Sequence, residues 1–295
     1  MTANPSHPPS VIQAARRLIL DRHLLVPGQH VLVAVSGGPD SQALLSVLAH
    51  LASDLHISLS ACGVDHGLRA EAPDELLLSR QLCDQFNVPM TTVKIHVPEG
   101  GNLMERARDA RFEALQRVAS DLGCQRIALG HHADDRAETV LLRMLRGAGP
   151  HGLAVMPARS GIRIRPLLSV RKREIYAYLK RHAIPFALAP SNRSSRFLRV
   201  RVRTEVLPLL EQLSPNVVQH LWNLAEDLTV EHQSSDLRPL GRSHLQAIAR
   251  AIRSGNTRAL ISLPTGVVAH LSEDQKHLVL DEPTHHRGSQ PTKPA

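Results

Sequence analysis

The sequence predicts an α/β fold, a doubly wound parallel sheet with a small C-terminal α+β module. Short apolar runs rich in β-branched residues alternate with helical patterns from residue 31 to residue 146, at the spacing of βαβ units. A glycine turn directly follows the first apolar run and leads straight into a helical pattern. Beyond Gly147 the alternation loosens, and three short strand patterns occur near the end of the chain.

The first strand and the first helix of the sheet domain have the clearest patterns. Residues 31–35 are wholly apolar and mostly β-branched, as expected of a central strand that is covered on both faces. Four leucines between residues 44 and 51 form one apolar stripe, which predicts an amphipathic helix. Asp40 stands in the first turn of that helix, where an acidic residue interacts favourably with the helix dipole.

The remaining elements follow in chain order. A helix over 11–25 leads into the first strand. The patterns then predict strands over 57–64, 90–95 and 126–129, and helices over 72–86, 103–122 and 134–146. The looser region contains a predicted strand over 162–167, helices over 171–182 and 215–232, and a basic stretch over 191–203 that enters a helix ending near Pro208. A linker over 234–242, a short helix over 243–253 and strands over 260–263, 267–271 and 277–280 complete the prediction.

The turn between the first strand and its helix reads Ser36-Gly37-Gly38-Pro39-Asp40-Ser41. Two adjacent glycines let the backbone turn sharply and direct several N–H groups at an anion, and the helix N terminus adds positive potential. The turn therefore predicts phosphate binding. A Walker loop needs a lysine after its glycines, and none follows here, so ordinary transfer of a γ-phosphate is disfavoured.

The composition favours a polyanionic partner, nucleic acid before membrane. Lys and Arg number 35 against 27 Asp and Glu. Only seven residues are aromatic, so contacts with RNA should depend on arginine planes and on phosphate pairing. Three widely spaced cysteines argue against a disulfide framework or a metal cluster. With no signal sequence at the start and no run long enough for a bilayer, we expect a cytoplasmic protein; a homodimer is left open.

Two further segments carry polar residues beside the predicted nucleotide site. Asp65 and His66 end the second predicted strand, where contacts with adenosine or ribose are plausible; a polar strand-end turn would look similar. Arg108 and Arg111 share a helical face and could both point at phosphates, although solvated helix charges would give the same spacing.

The most distinctive segment runs from Gly130 to Glu138. Two histidines precede a helix in which Asp135 and Glu138 are three positions apart and Asp134 and Glu138 four. Such a cluster can hold Mg²⁺ through water or capture a substrate ammonium, whereas the spacing of a zinc hydrolase is absent. A solvated acidic first turn behind an N-cap is the alternative.

Taken in order, these motifs resemble bacterial tRNA(Ile)-lysidine synthetases of the PP-loop ATP pyrophosphatase superfamily. The resemblance rests on SGGPDS, VDHGLR, GNLMERARDAR, LGHHADDRAETVLLRMLRG, GLAVMP, RPLL and a late PSN segment with its arginines. It implies a Rossmann-like, adenine nucleotide alpha hydrolase-like fold. The resemblance implies a catalytic domain at 26–212, followed by a helical linker with a small tRNA-binding-like module at 213–284. The sequence patterns predict an N-terminal tail and leading helix at 1–25, and a disordered tail at 285–295, which is polar and Pro-rich.

The resemblance implies a two-step reaction on the wobble cytidine, C34, of the tRNA(Ile) whose anticodon is CAU. The C2 oxygen attacks the α-phosphate of ATP, with Mg²⁺ as the metal, and pyrophosphate leaves. The ε-amine of free lysine then displaces AMP from C2, and the product is lysidine.

The resemblance also implies roles for individual residues. The catalytic positions are Asp40, Arg111, Asp135, Glu138 and Arg203. The expected ATP contacts are Ser36, Gly37, Gly38, Pro39, Asp40, Ser41, Asp65, His66, Gly130 and His131, and Asp40 is the candidate Mg²⁺ ligand. A separate hypothesis, from charge alone, is that Arg193, Arg196, Arg199 and Arg201 line the path of the tRNA.

Four positions depart from the family pattern, and two alternative functions stay open. Gly63, Arg136, Ala189 and Val200 stand where histidine, glutamine, aspartate and asparagine are usual. One alternative is a tRNA 2-thiolation enzyme of the same superfamily, but such enzymes need catalytic or cluster cysteines, usually paired. The other is a non-catalytic tRNA-binding relic, which the departures motivate and the intact carboxylates oppose.

Overall fold

The computed structural model describes residues 10–65, 67, 72–95, 103–188 and 198–234, and in the C-terminal region residues 247, 248, 250, 251, 254, 257, 260–262, 268–272 and 278–281. The chain forms two compact units. The first comprises Met1–Arg146 and Val155–Glu226, and the second comprises Gly147–Ala154 and Asp227–Ala295. No described helix has the combination of length and apolar character that a membrane span requires.

The first part of the chain alternates strands and helices, as predicted. Its elements are α1 (Val11–Asp21), β1 (His30–Val35), α2 (Pro39–Leu51), β2 (Ser58–Asp65), α3 (Ala72–Gln85), β3 (Met90–Lys94), α4 (Leu103–Asp121), β4 (Arg126–Ala128) and α5 (Ala133–Leu145).

Shorter elements follow. They are α6 (Pro150–Leu153), β5 (Arg159–Ser160), β6 (Arg163–Ile164), α7 (Lys172–Arg181), α8 (Leu198–Arg201), a π-helical turn (Val202–Val206), α9 (Leu207–Leu213), α10 (Val217–Ser234), β7 (Ile261–Ser262), β8 (Val268–Leu271) and β9 (Leu278–Asp281).

The large sheet has the strand order β3-β2-β1-β4-β6-β5. All neighbouring strands are parallel except the short edge strand β5, which pairs antiparallel with β6. The chain moves outward from β1 to β3 and then returns to place β4 on the other side of β1, so the direction of winding reverses between β1 and β4. Ligands of open parallel sheets bind at such a reversal, at the carboxyl ends of the strands. The prediction of a doubly wound parallel sheet is confirmed.

Two apolar clusters cover the two faces of this sheet. One packs α1, α2 and α7 against side chains such as Val31 and Val33, and the other packs α4 against Leu32 and Ile127. Helix α2 is buried from Ser41 to Leu48 without interruption, so the prediction of a single apolar stripe was too narrow. The reason is that α2 lies between β1, α1 and α7 and is covered on nearly every side.

Some boundaries differ from the predictions. Helix α1 ends at Asp21 and not at residue 25, and only Arg163–Ile164 of the predicted strand 162–167 pairs in the sheet. The predicted helix end near Pro208 was wrong, because the helical path continues to Leu213. Proline lacks an amide hydrogen and crowds the carbonyl one turn earlier. A wider π-helical turn, in which Leu207 N donates to Val202 O, precedes the proline and lets the helix pass it.

The second unit contains a three-stranded antiparallel sheet with the order β7-β8-β9, in agreement with the three predicted strands. Its small apolar cluster comprises Ala251, Ile261 and Ala269. Of the predicted helix over 243–253, residues 247, 248, 250 and 251 are described as helical. The predictions for 1–9, 235–242 and 285–295 lie outside the described residues.

Candidate active site

The glycine turn after β1 is held by a buried hydrogen-bonded relay. Gly37 has a φ of 75°, and a Cβ added there would lie 2.0 Å from Glu75 O, so only glycine fits. Its amide donates to Ser79 Oγ at 2.9 Å, and Ser79 Oγ donates to Gln42 Oε1 at 3.2 Å. Gln42 is fully buried and donates onward to Pro185 O. The relay fixes the turn in one conformation before any ligand arrives.

The two serines of the turn close it from the other side. Ser41 Oγ accepts a hydrogen bond from Ser36 N at 3.1 Å and donates to Gly38 O at 2.9 Å. Gly38 is the N-cap of α2, Pro39 occupies the first turn, and in the described structure no side chain caps this helix end. The first-turn amides of α2 are therefore available to an anion, as the sequence predicted.

The turn after β4 packs directly against this loop. A Cβ added at Gly130 would lie 2.9 Å from Asp40 O and 3.3 Å from Ser41 N, so the two turns approach as closely as backbones can. This contact places the N terminus of α5 beside the N terminus of α2 at the reversal of the sheet.

His132 connects the two helix ends. Its Nδ1 accepts a hydrogen bond from Asp135 N at 3.2 Å, and the backbone N–H of His132 donates to Asp135 Oδ2 at 3.2 Å, so His132 is the N-cap of α5. Because Nδ1 accepts, the ring proton lies on Nε2. That Nε2 lies 3.7 Å from Asp40 Oδ1 and 3.5 Å from Asp135 Oδ2, and the side chain is only 1% exposed. The imidazole therefore lies between the carboxylates of Asp40 and Asp135.

Asp40 has the carboxylate oxygen at this site that best fits a metal ion. Its Oδ1 is buried and has no hydrogen-bond partner among the described residues. Burial raises the pKa of Asp40, and the nearby charge of Asp135 adds to the rise, while His132 and Lys172 oppose it. A buried carboxylate oxygen without a donor fits a divalent cation, since Mg²⁺ in nucleotide sites takes one or two carboxylates and completes its shell with phosphates and water.

Asp134 has a structural role. Its Oδ1 accepts hydrogen bonds from Arg171 Nε and Nη2 at 3.2 and 2.9 Å, and its Oδ2 accepts from Lys172 N at 2.7 Å at the start of α7. Burial alone would raise the pKa of Asp134, but these hydrogen bonds hold it below the ordinary value of 3.8. This carboxylate links α5 to α7, and both of its oxygens are used in that contact.

Asp135 and Glu138 form a carboxylate pair at i, i+3 on α5. Glu138 is 1% exposed and accepts hydrogen bonds from Arg203 at 2.5 and 2.9 Å and from Arg199 Nε at 3.0 Å. Arg199 Nη2 also lies 3.4 Å from Asp135 Oδ1. Burial would raise the pKa of Asp135, but the charge of Arg199 and the hydrogen bond from the backbone N–H of His132 hold it below its ordinary value. Asp135 is therefore ionised at neutral pH.

A cavity of about 320 Å³ opens beside Asp135. Six arginines line it: Arg108, Arg111, Arg163, Arg165, Arg199 and Arg203. Phe112 lies on its wall beneath Arg163, whose guanidinium carbon is 4.3 Å from the ring centroid. The cavity is strongly cationic, and it suits a phosphate or an aromatic base that stacks on a guanidinium plane.

His131 is the neutral member of this cationic wall. Its Nδ1 accepts a hydrogen bond from Arg165 Nε at 3.3 Å. Burial lowers the pKa of His131 to about 4, with Arg165, Arg108 and Arg111 contributing and Asp135 opposing. At neutral pH the ring is uncharged and its Nε2 carries the proton.

The structure brings most of the predicted site residues together. Ser36 to Ser41, Gly130, His131, Asp135, Glu138 and Arg203 surround the meeting point of α2 and α5, and Arg111 lines the adjoining cavity. Asp65 ends the neighbouring strand β2, where its Oδ1 accepts from Gly67 N at 2.9 Å. Arg201 pairs with Glu205 on an exposed face. His66, Arg193 and Arg196 lie outside the described residues.

A comparison with models of protein families identifies the family to which this chain belongs. The model of the PP-loop domain matches residues 11–210, which include both turns and all of α5. This chain belongs to the PP-loop family. The sequence resemblance to this family is thereby confirmed.

Several relatives of this PP-loop protein are curated as tRNA(Ile)-lysidine synthases. The chain is 36% identical over 206 residues to the Thermotoga maritima enzyme, covering 68% of this chain and 50% of that one. It is 40% identical over 218 residues to the Pseudomonas aeruginosa enzyme, covering 70% and 49%. The match to the Novosphingobium aromaticivorans enzyme is 37% and covers 70% and 64%. The chain spans about half the length of the first two of these relatives.

A solved structure supports the fold. The U34-tRNA thiolase of Methanococcus maripaludis aligns with a TM-score of 0.65 at 20% identity, covering 78% of this chain and 81% of the thiolase. At that identity the likeness shows the PP-loop fold alone.

Cysteine chemistry of the thiolase kind finds no support in this PP-loop protein. Cys62, Cys83 and Cys124 are all free, and the first two are buried. Burial raises the pKa of Cys62 to about 11 and that of Cys83 to about 12, so both are protonated and unreactive at neutral pH. The thiolation alternative is therefore disfavoured.

Two of the four departures have a structural explanation. A Cβ at Gly63 would lie 2.6 Å from Leu76 Cδ2 and 3.0 Å from Met90 Cε, so these side chains occupy the space of the usual histidine. Arg136 is fully buried, donates to Glu226 Oε2 at 2.6 Å and to Val155 O at 3.1 Å, and lies 5.1 Å from the centroid of the Trp222 ring.

The other two departures are less informative. Val200 lies half-buried in α8, and nothing in the structure explains its replacement of asparagine. Ala189 lies outside the described residues.

Sequence reasoning missed several residues around the site. Arg163 and Arg165 lie two apart on β6 and the residue after it, and the RPLL motif could have drawn attention to Arg165. Lys172 and Tyr176 of α7 both interact electrostatically with Asp40, and Lys172 Nζ lies 5.9 Å from the Tyr176 ring centroid. Their spacing is that of any helix, so the sequence carried no signal for them.

Proposed function

We propose that this protein joins free lysine to C2 of the wobble cytidine of a CAU-anticodon tRNA(Ile), through an adenylated base. The observation that carries the proposal is that a site suited to phosphate lies next to a site suited to an ammonium group. An anion-binding loop with Asp40 meets the carboxylate pair of α5 across the buried His132. The lysidine synthase names of the relatives support the choice of substrates.

The first step is adenylation. The triphosphate of ATP lies against the amides of the loop and the N terminus of α2, which are fixed by the relay through Ser79 and Gln42. The C2 oxygen of the cytidine attacks the α-phosphorus, a P–O bond forms, and the bond to the leaving pyrophosphate breaks. Arg111 and Arg203 face this region and neutralise the oxygens that gain charge.

Mg²⁺ would be held by Asp40, whose Oδ1 lacks a hydrogen-bond donor in the described structure. When bound, the ion neutralises charge on the triphosphate and on the leaving pyrophosphate. The role of Asp40 toward the rest of the site is to hold a negative charge beside the Nε2–H of His132.

The second step is attack by lysine. The ε-amine must arrive close to C2 and lose its proton, and the carboxylates of Asp135 and Glu138 can orient the ammonium and accept that proton. A C–N bond forms at C2, the C–O bond to the AMP group breaks, and AMP leaves. Asp135 is ionised at neutral pH, as this role requires, because its neighbours hold its pKa low.

The remaining parts of the proposal concern the partners. The excess of basic residues and the arginine-lined cavity support an RNA substrate. The tRNA path along Arg193, Arg196, Arg199 and Arg201, the tRNA-binding role of the small module, the homodimer and the cytoplasmic location stay predictions.

The test is incorporation of labelled lysine into a CAU-anticodon tRNA(Ile) transcript with Mg-ATP. We expect incorporation by the wild type, none when C34 of the transcript is changed to U, and a loss of at least about a hundredfold in Asp40→Asn, because the loop loses the charge that holds the metal. Asp121→Asn, at the exposed end of α4, is the matched control and should keep full activity. A folded wild type that transfers no lysine would contradict the proposal.

A further inference from the structure

The negative charges of the carboxylate pair that should receive the lysine ammonium are neutralised by arginines in this structure. Two negative side chains, Asp135 and Glu138, are matched by two guanidinium groups, those of Arg199 and Arg203. Three hydrogen bonds cover both oxygens of Glu138. An incoming ammonium finds neither a free carboxylate oxygen on Glu138 nor a net negative charge.

The two arginines are held unequally. Arg203 makes two hydrogen bonds to Glu138, at 2.5 and 2.9 Å, and its side chain is 28% exposed. Arg199 makes one hydrogen bond to Glu138, reaches Asp135 only at 3.4 Å, and is 41% exposed. Bidentate pairing is the stronger arrangement. Breaking the contacts between Arg199 and the carboxylate pair therefore costs less free energy than breaking those of Arg203.

A competing ligand for Arg199 has a place to bind. The same side chain lines the cavity together with Arg108, Arg111, Arg163 and Arg165, and these four make no ion pair with any described carboxylate. An anion drawn into the cavity by these charges comes within reach of Arg199 and competes with Glu138 for it. Once Arg199 turns to that anion, the carboxylate pair keeps one uncompensated negative charge, which suits one ammonium.

We propose that Arg199 makes lysine binding conditional on RNA: it covers Asp135 and Glu138 in the free protein and moves to a phosphate of the bound tRNA. The inference rests on the proposed function. It assigns to Arg199 a task beyond general attraction of tRNA, because the same side chain withholds the lysine site until the acceptor is present. Lysine would then bind after the RNA that it modifies.

The test measures binding of radiolabelled lysine to the full chain by equilibrium dialysis, with a non-hydrolysable ATP analogue present. Each protein is measured with and without an anticodon stem-loop RNA carrying CAU. We expect the wild type to bind lysine only with RNA. Arg199→Gln should bind lysine without RNA at least about tenfold more tightly than the wild type does, since one positive charge leaves the pair. Its affinity for the stem-loop should fall by about tenfold or less, as for one lost phosphate contact.

Two further variants control this result. Arg199→Lys keeps the charge and should keep the dependence on RNA. Arg143→Gln removes an exposed arginine from the same helix as Glu138 and should behave as the wild type. Circular dichroism of each variant checks that it is folded.

The outcomes separate the inference from the proposed function. Lysine binding to the wild type without RNA, or continued dependence on RNA in Arg199→Gln, would overturn the role of Arg199 and leave the proposed function standing. The role of Arg199 would also be overturned if pyrophosphate promoted lysine binding as strongly as the stem-loop RNA does, because lysine binding would then not depend on the tRNA. A wild type that binds no lysine even with RNA and the ATP analogue would overturn the proposed function and the inference with it.

Discussion

His132 shows how one buried residue can serve structure and chemistry together. Histidine is an unusual N-cap, because serine, threonine, aspartate and asparagine are preferred there. At this position its Nδ1 performs the capping, and its Nε2–H remains available between Asp40 and Asp135. A shorter capping side chain would leave the space between the two carboxylates empty. The residue type is explained by the second contact and not by the first.

Replacing His132 should separate these two contributions. His132→Ala loses the cap and leaves a small cavity, so we expect unfolding free energy to fall by about 2 kcal/mol or more. His132→Asn keeps a capping oxygen and should stay within about 1 kcal/mol of the wild type. Both should lose lysine transfer by at least about tenfold. Alanine has no side-chain N–H, and the amide of asparagine, with its oxygen capping the helix, is too short to place one between Asp40 and Asp135. Urea unfolding and the lysine incorporation assay measure the two effects.

The control for these variants is His220→Asn on the exposed face of α10, which should change neither quantity. Full activity in His132→Asn would show that the cap alone is needed and that the bridge between the carboxylates has no role.

At the scale of elements, α5 organises the site because its successive residues attach to different partners. Asp134 holds the start of α7, Asp135 and Glu138 hold α8 and the π-helical turn, and Arg136 holds Glu226 on α10. The sequence predicted the helix and singled out its carboxylates, because a helical period and a glycine turn are local signals. The residue pattern alone could not separate Asp134 from Asp135, since their partners, Arg171 and Arg199, are 37 and 64 residues away along the chain. Only the family resemblance selected Asp135.

Contacts between parts of the chain that are distant in sequence also explain the other wrong predictions for helices. The leucine stripe of α2 identified one buried face, but the burial of its other faces depends on where α1 and α7 pack. The continuation of the helix past Pro208 depends on a π-helical turn, and the sequence alone favoured a stop at the proline.

Asp134 gives a test of the link between α5 and α7. Its pKa lies below 3.8 in the folded protein, so the unfolded chain binds more protons at acidic pH. Its contribution to stability is fully present above the unfolded pKa and is lost as the pH falls through the folded pKa. Asp134→Asn should therefore lower unfolding free energy at pH 7 by about 1 to 3 kcal/mol and should flatten the decline below about pH 4.

Urea unfolding at a series of pH values measures this effect, with the exposed Asp54→Asn as the control. If the free energy of unfolding falls equally steeply at acidic pH in Asp134→Asn and in the wild type, Asp134 is not the source of the pH dependence.

At the scale of the whole molecule, the order of strands brings the site together. Winding reverses between β1 and β4, and this reversal places the loop after β1 against the turn after β4. The alternation of strands and helices predicted this arrangement, because a parallel sheet presents the carboxyl ends of its strands at one edge. The cavity with six arginines was harder to foresee, since its walls come from α4, β6 and α8, and only the arginines of α4 and of the 191–203 stretch had been noticed.

The central claim is that the loop after β1 and the carboxylate pair of α5 serve successive steps on one substrate. The most direct measurement follows α-labelled ATP and labelled lysine together in one reaction with the CAU-anticodon tRNA(Ile), using the wild type, Asp40→Asn and Glu138→Gln. The account predicts that Asp40→Asn puts neither label into RNA. Glu138→Gln should still attach labelled AMP to the RNA while lysine transfer falls by at least about a hundredfold. Equal loss of both labels in Glu138→Gln, or lysine transfer at the wild-type rate, would contradict this division of labour.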